Sequence, residues 1–421
     1  MKTAVSGLYS LAALWLTATL LVACASEETD TGYTFKILQD EGFTIAETSG
    51  GPKFEGELFA YDEILRLEQD EQIMGSLLTM PRTVLMDDAG RFYVEDGDAD
   101  RIVCFDESGH YLSQIGRQGE GPGEYRTPHL HAIQNGAVII EDGRIHRVSR
   151  FSTDGTFLNS VRIPRTGMVL QECCFGPDDE LILLGDFQRG FRDEYRFNTA
   201  VAFVYSSEGE RLASVQSDSV KQSYFYRLEE YSTSSIAPVY FSSWPNVLYH
   251  PVHGLVMTSG LEPSLQCFDL QGRLQRKIRL DTPPQPVTSA EREAVHSHLR
   301  EWIRQAENDR SRAVRQKQLE LSEFQNPKAY FTVRFIDEYG YIWASRPFVQ
   351  YRRTSTGEPP AEYLVFSPEG EYLGDTDLPM PSPQLLRDHI ASRQEDEETG
   401  AIDIVIYVIR PIAPGFHYPE E

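Results

Sequence analysis

The sequence predicts an all-β fold: a six-bladed β-propeller with a helical insertion between blades four and five. Three observations lead there. A hairpin motif recurs through the chain, a second strand pattern recurs upstream of it, and the spacing is broken by a long insertion after Phe268 and a shorter one, QRGFRDEYRF at Gln188 to Phe197, in unit three.

The hairpin motif is an aromatic residue, three residues, then Gly, followed by a short run rich in apolar residues. Its copies are FDESG from Phe105, FSTDG from Phe151, YSSEG from Tyr205, FDLQG from Phe268 and FSPEG from Phe366. Each reads as strand, tight turn, strand, with the glycine relieving the turn. The upstream strands are RFYVED at Arg91, AVIIED at Ala137, ELILLG at Glu180, GLVMTS at Gly254 and YIWASR at Tyr341. A sixth, DIVIYVI at Asp403, has no hairpin after it. Polar turns such as DDAG and DEYG precede most of them, and a further short apolar segment precedes the turn. The unit is therefore four strands, recurring six times. Units that cannot bury both faces alone must stack on neighbours, and radial stacking gives a propeller.

The last unit lacks its outermost strand. A strand from the unassigned N-terminal sequence, which contains YTFKIL at Tyr33 and EILRLE at Glu63, would complete it and close the ring. A seven-blade count or an open solenoid stays open. Cys104 and Cys267 each precede the aromatic residue of their hairpin, which predicts equivalent packing positions between blades. Adjacent Cys173 and Cys174 alternate faces in a strand and so read as two separate packing residues rather than a bonded pair. With no CxxC and few cysteines, the fold is not built on disulfides.

The stretch GRQGEGPGEY, Gly116 to Tyr125, lies between units one and two. It lacks the Gly-Lys-Ser/Thr ending of a phosphate loop, and no long helix follows. It reads as a connector in which Gly116, Gly119, Gly121, Pro122, Gly123 and Glu124 permit positive φ and close approach.

The longer break in spacing falls between the hairpins at Phe268 and Phe366. The excess is mainly residues 288–324, where Val295, Leu299, Trp302, Ile303 and Ala306 share one helical face. Ser289 is a candidate cap, and Glu291 and Glu293 suit a first turn. Arg300, Arg304, Arg310, Arg312, Arg315 and Lys317 make this insertion basic within an acidic chain. It reads as an element packed on the ring, or as a lid or docking surface on which Trp302, Arg300 and Arg304 would meet a partner.

The N-terminus carries a lysine at position 2, a mostly apolar run from Leu8 to Ala23, and LVAC ending at Cys24. This predicts a lipoprotein signal peptide over residues 1–23, a lipidated Cys24 bearing diacylglycerol and acyl chains such as palmitate, and a tether over 24–32. The propeller would then span 33–421. The expected place is the bacterial cell envelope, most naturally the outer membrane of a Gram-negative cell, with the membrane as partner through the lipid. Net charge −25 and pI near 4.8 exclude a nucleic-acid backbone as partner.

The lipobox, the six units and the placement of GRQGEGPGEY together resemble the six-bladed, NHL-like propeller lipoproteins of bacteria, over about residues 60 to 421. The resemblance implies the fold. It carries over no catalytic residue, since related propellers serve as binding scaffolds and a few as enzymes.

Candidate chemistry is sparse. Asp96, Asp98 and Asp100 alternate like ligands of a hard cation such as calcium, but DGDAD lacks the spacing and closing Glu of an EF-hand loop, and solvated turn acids are the plainer reading. His129 and His131, two apart, would share one strand face and need a third ligand from elsewhere to hold a metal. No cofactor is expected. No GxSxG elbow and no Cys/His pair is visible. The leading expectation is a surface-tethered scaffold that binds an envelope protein, peptide or glycan without catalysis. The rival is a hydrolase or lyase with a metal or carboxylate site on the axis. Carboxylates or histidines from different blades converging in one pocket would favour the rival.

Overall fold

The computed structural model describes residues 32–419 apart from 68, 70–72, 74, 193–194, 348–360, 381 and 396–399. The lipobox, Cys24 and most of the tether lie outside the described residues.

The described chain is an all-β ring with a two-helix insertion. The first blade is the antiparallel meander Pro81–Met86, Phe92–Asp96, Arg101–Phe105, Tyr111–Ile115. The second is Pro128–Gln134, Ala137–Asp142, Arg147–Ser152, Phe157–Arg162. A third runs from Asn246–His250 to Leu274–Leu280, and a fourth from Thr332–Ile336 to Tyr372–Leu378. The closing blade takes Gln384–Leu386, His389–Glu395 and Ile402–Pro411 from the C-terminal end. Its fourth strand is Phe59–Arg66, which holds most of EILRLE and pairs antiparallel with Ile402–Pro411. The other N-terminal segment goes elsewhere. Thr34–Asp40 and Phe43–Ser49 form a hairpin whose second strand lies parallel to Leu274–Leu280, which widens that sheet to six strands.

The expectation of six equivalent blades is corrected by this topology: five sheets contain an unbranched four-strand blade. The unit expected around Tyr205 belongs instead to a branched, seven-stranded sheet. The cause is strand length. Leu181–Arg192 and Tyr195–Tyr205 are 12 and 11 residues long, about twice their counterparts, so their hairpin runs past the end of a blade. Along one half, Tyr195–Tyr205 pairs with Arg211–Gln216; along the other it pairs with Val220–Leu228. Thr233–Tyr240 and the short parallel strand Glu323–Phe324 extend the second arm.

The core lies between neighbouring sheets. Tyr93, Ile102 and Cys104 of the first blade meet Leu130, Val138 and Phe151 of the second. Cys267 packs equivalently, with Val256 and Leu265 against Val333, Ile342 and Phe366. Cys173 and Cys174 face opposite ways, the first into the cluster shared with the second blade and the second into the cluster shared with the 246–280 blade. All four described cysteines are buried and free. Each fully buried Phe or Trp here stabilises the ring by roughly 2–3 kcal/mol.

Turn chemistry repeats with the blades. In the hairpin turn of the first blade the Asp106 carboxylate accepts the Ser108 and His110 N–H groups, and Gly109 sits at φ 81°. The inner turns use the same device. Asp87 accepts the Ala89 and Arg91 N–H groups and the Tyr93 hydroxyl, while Asp337 accepts the Tyr339 and Tyr341 N–H groups and the Tyr418 hydroxyl.

The connector Gly116–Tyr125 is closed on itself. Glu124 accepts the Gly121 N–H at 2.8 Å and pairs with Arg117 at 2.9 Å, while Arg147 reaches the Glu120 and Gly121 carbonyls. Gly119 has φ 149°, and a Cβ there would stand 2.1 Å from the Glu124 carboxylate. The Tyr125 hydroxyl donates to the Ile115 carbonyl at 2.5 Å, locking the connector to the last strand of the first blade. The loop's polar groups are spent on its own closure, not held open for phosphate.

The insertion comprises helix α1 (Ser289–Arg304) and helix α2 (Asp309–Glu320). The cap of α1 is Thr288, one residue before the expected Ser289, and it forms a reciprocal capping box with Glu291. Val295 and Leu299 pack on Tyr240, Phe241 and Val287. The Tyr226 hydroxyl donates to the Val314 carbonyl at 2.9 Å, and Gln318 donates to the Ile236 carbonyl at 2.7 Å. The helices are thus docked on the long arm of the branched sheet. Among the described residues no helix is long and apolar enough to cross a membrane.

Candidate active site on the ring axis

The innermost strand of each of the six large sheets ends at one cavity of about 550 Å³. Leu85 and Met86 come from the first blade, His131 to Gln134 from the second, and Glu172 and Cys174 from the branched sheet. Tyr249 and His250, Ile336, and Leu385 and Leu386 complete the circle. The volume suits a small molecule. Titratable side chains from separate sheets therefore converge on the axis.

Glu172 stands in the cavity wall. Among the described residues no group hydrogen-bonds its carboxylate. Burial pushes its carboxyl up to about 7, the result expected of a carboxylate in a protein-lined recess without a counter-charge. It follows the bulge between Leu170 and Glu172, where the strand loses its regular pairing with Leu181–Arg192. A corresponding bulge between Leu130 and Ala132 frees His131 from the strand's alternation. The His131 side chain is 9% exposed, and its buried Nε2 lacks a hydrogen-bond partner, with Glu141 3.9 Å away.

The rim is more heavily tied. Arg387 donates to Glu338 at 2.8 Å and to Asp88 at 2.5 Å, joining turns of three blades. Arg91 is held on Asp87 at 2.7 Å. His250 accepts the Val252 N–H at 3.2 Å, and burial lowers its pKa, so the ring is neutral at pH 7. His253 behind it accepts from Arg276 through Nδ1 and donates through Nε2 to the Gly340 carbonyl. Burial, with Arg276 and His250 nearby, lowers it to about 4. Both histidines brace adjacent turns. Burial raises the Cys174 thiol well above the ordinary range, so it is no thiolate nucleophile at neutral pH.

Most residues singled out from the sequence take structural positions. Asp96 is fully buried. It accepts the Thr79 and Met80 N–H groups at 3.0 and 2.8 Å and pairs with Arg101 at 2.9 Å. Burial opposes its ionisation, but these contacts outweigh it and hold the carboxyl below its usual value. Asp98 is exposed, and Asp100 occupies a left-handed turn position at φ 48°. His129 does not join His131 at the cavity. It contacts Glu95 at 3.2 Å, a link between the first two blades that raises the His129 pKa. Arg300 and Arg304 each pair with a glutamate of their own helix, Glu293 and Glu301, and Arg315 lies over the Trp302 ring at 4.5 Å. Among the described residues no three or more His, Cys, Asp or Glu side chains are grouped to hold a metal ion. Glu172, Asp88, Glu338 and Arg387 were not singled out by sequence. The one available signal was an acid inside an apolar inner strand, VLQECCF.

A family model described as a 6-bladed beta-propeller matches residues 65–263. The resemblance to six-bladed, NHL-like propellers is corrected by the sheets themselves, which among the described residues give five regular blades. The family description counts six blades, where the described residues form five regular ones and the branched sheet. No curated protein matches the sequence. Among solved structures, a Bacteroides fragilis protein is similar at 11% identity, covering 87% of this chain and 99% of its own, with a TM-score of 0.47. A member of the DUF4221 family from Bacteroides vulgatus is similar at 12% identity, 85% and 99% coverage and a TM-score of 0.45. Virginiamycin B lyase from Staphylococcus aureus is similar at 9% identity, 83% and 99% coverage and a TM-score of 0.36. No residue role passes from these proteins to this chain. The expectation of a scaffold without catalysis is withdrawn on the site itself, since Glu172 and His131 from different sheets converge in one cavity.

Proposed function

We propose that the protein is a hydrolase or lyase that acts on a small molecule in the axial cavity, with Glu172 as the group that moves the proton. One observation carries this: Glu172 and His131, from different sheets, line the same cavity, and among the described residues neither the Glu172 carboxylate nor His131 Nε2 has a hydrogen-bond partner. A carboxyl that titrates near 7 is half ionised at neutral pH, where it can accept a proton from water or a substrate carbon and return it to a leaving group. His131 Nε2 is placed to hydrogen-bond the reacting oxygen. Lipidation of Cys24 would hold the enzyme on the bacterial envelope, on the outer membrane of a Gram-negative cell, with the acidic ring in the aqueous phase.

The test is a screen of the full chain against small esters, lactones and polar lyase substrates, with Glu172→Gln and His131→Gln beside it. Loss of a factor of about 10²–10⁴ in kcat/KM in Glu172→Gln, with an unchanged fold, is the expected result. Equal turnover by wild type and Glu172→Gln would remove the assignment.

A further inference from the structure

We propose that the axial cavity is a receptor for an organic cation, an amine or quaternary ammonium whose head lies between the Glu172 carboxylate and the Tyr249 ring. This rests on the cavity being the reaction site and names the substrate class.

The charges lining the cavity point this way. Its two guanidinium groups are already committed, Arg91 to Asp87 and Arg387 to both Asp88 and Glu338. An anion entering would find no uncommitted cation among the described lining residues. Glu172 is the reverse case, a carboxylate with no ion-pair partner among the described residues. A cation placed there would supply the missing counter-charge, and in a recess shielded from bulk water that contact is several times stronger than at the surface. Tyr249 adds an aromatic wall, whose face attracts ammonium groups. The rim adds the same bias. Asp88 and Glu338 share one arginine, leaving an excess of negative charge at the mouth. The chain's net charge of −25 steers cations toward it. The apolar parts of Leu85, Ile336 and Leu385 would cover the hydrocarbon of such a ligand.

Calorimetry on the full chain with choline and with the neutral alcohol in which carbon replaces its nitrogen tests this directly. The pair has one shape and differs in charge. Choline should bind at least about tenfold tighter than its isostere, the preference expected of one ion contact in a partly screened recess. Glu172→Gln should reduce that preference to under about twofold, and rising salt should weaken choline alone. Equal binding of the two probes by wild type overturns the proposal, as does no binding of either at millimolar concentration. The wild-type comparison does not depend on how the variant folds. If Glu172 titrates near neutrality and its variant loses turnover while the cation preference is absent, only the substrate class falls. If Glu172 titrates as an ordinary carboxyl and its variant keeps turnover, the reading of the site falls as well.

Discussion

Replacing Glu172 by Gln should change how stability depends on pH. The carboxyl moves from an ordinary 4.5 to about 7 on folding. Between those values the folded chain binds more protons than the unfolded one, so the wild type loses stability as pH rises through the window. At 1.36 kcal/mol per pH unit the full effect is about 3 kcal/mol, an upper bound because the group faces cavity water. Gln does not titrate. Urea unfolding of both chains from pH 4 to 8 isolates the residue, because every other titrating group cancels in the difference. The variant should gain on the wild type by about 2–3 kcal/mol between pH 4.5 and 8, with most of the gain complete by pH 7. Parallel curves would refute the reasoning, since they would mean that Glu172 is as well solvated in the ring as in the unfolded chain.

Other perturbations probe the scaffold. Gly119→Ala meets both a positive φ and the Glu124 carboxylate, and should cost about 1–3 kcal/mol, read as a lowered Tm. Tyr418→Phe removes a 2.8 Å hydrogen bond to buried Asp337, whose carboxyl burial already raises to about 6; a loss of about 1–3 kcal/mol is expected. His253, lowered to about 4, supports folding above the ordinary histidine value of 6.5, and that support fades as pH falls toward 4, so a His253→Gln chain should show a shallower acid loss in the same window. Cys104, Cys173 and Cys267, buried and outside the cavity lining, should resist a thiol reagent until the ring unfolds.

The ring was legible because its signals are local and repeated. An aromatic residue and a glycine at fixed spacing, together with the apolar strands around them, announce hairpins wherever they occur. The closing strand around EILRLE followed from the missing edge of the last unit. Two features were not local. The hairpin at 181–205 is visibly lengthened in sequence by QRGFRDEYRF at 188–197, which reads as a loop inserted at the rim, and only strand pairing shows that the extra length recruits a second arm. The bulges at the axis were also hidden. A strict period of two puts His129 and His131 on one face, whereas the irregularity between Leu130 and Ala132 sends His131 to the cavity and leaves His129 with Glu95. Glu172 depended on a bulge of the same kind and on six inner strands meeting, which no spacing along the chain records. Of the acids that stood out by pattern, Asp96 holds the Thr79–Met80 turn, while Asp98 is exposed.

The account turns on the state of one carboxyl. Carbon-13 NMR of the glutamate side-chain carboxyls, with the Glu172 signal assigned by its absence in Glu172→Gln, measures it without knowledge of the substrate. A midpoint near 7 would establish a proton-transfer group on the axis. A midpoint near 4.5, the ordinary glutamate value, would contradict it and leave the cavity without the acid–base group on which the proposed reaction depends.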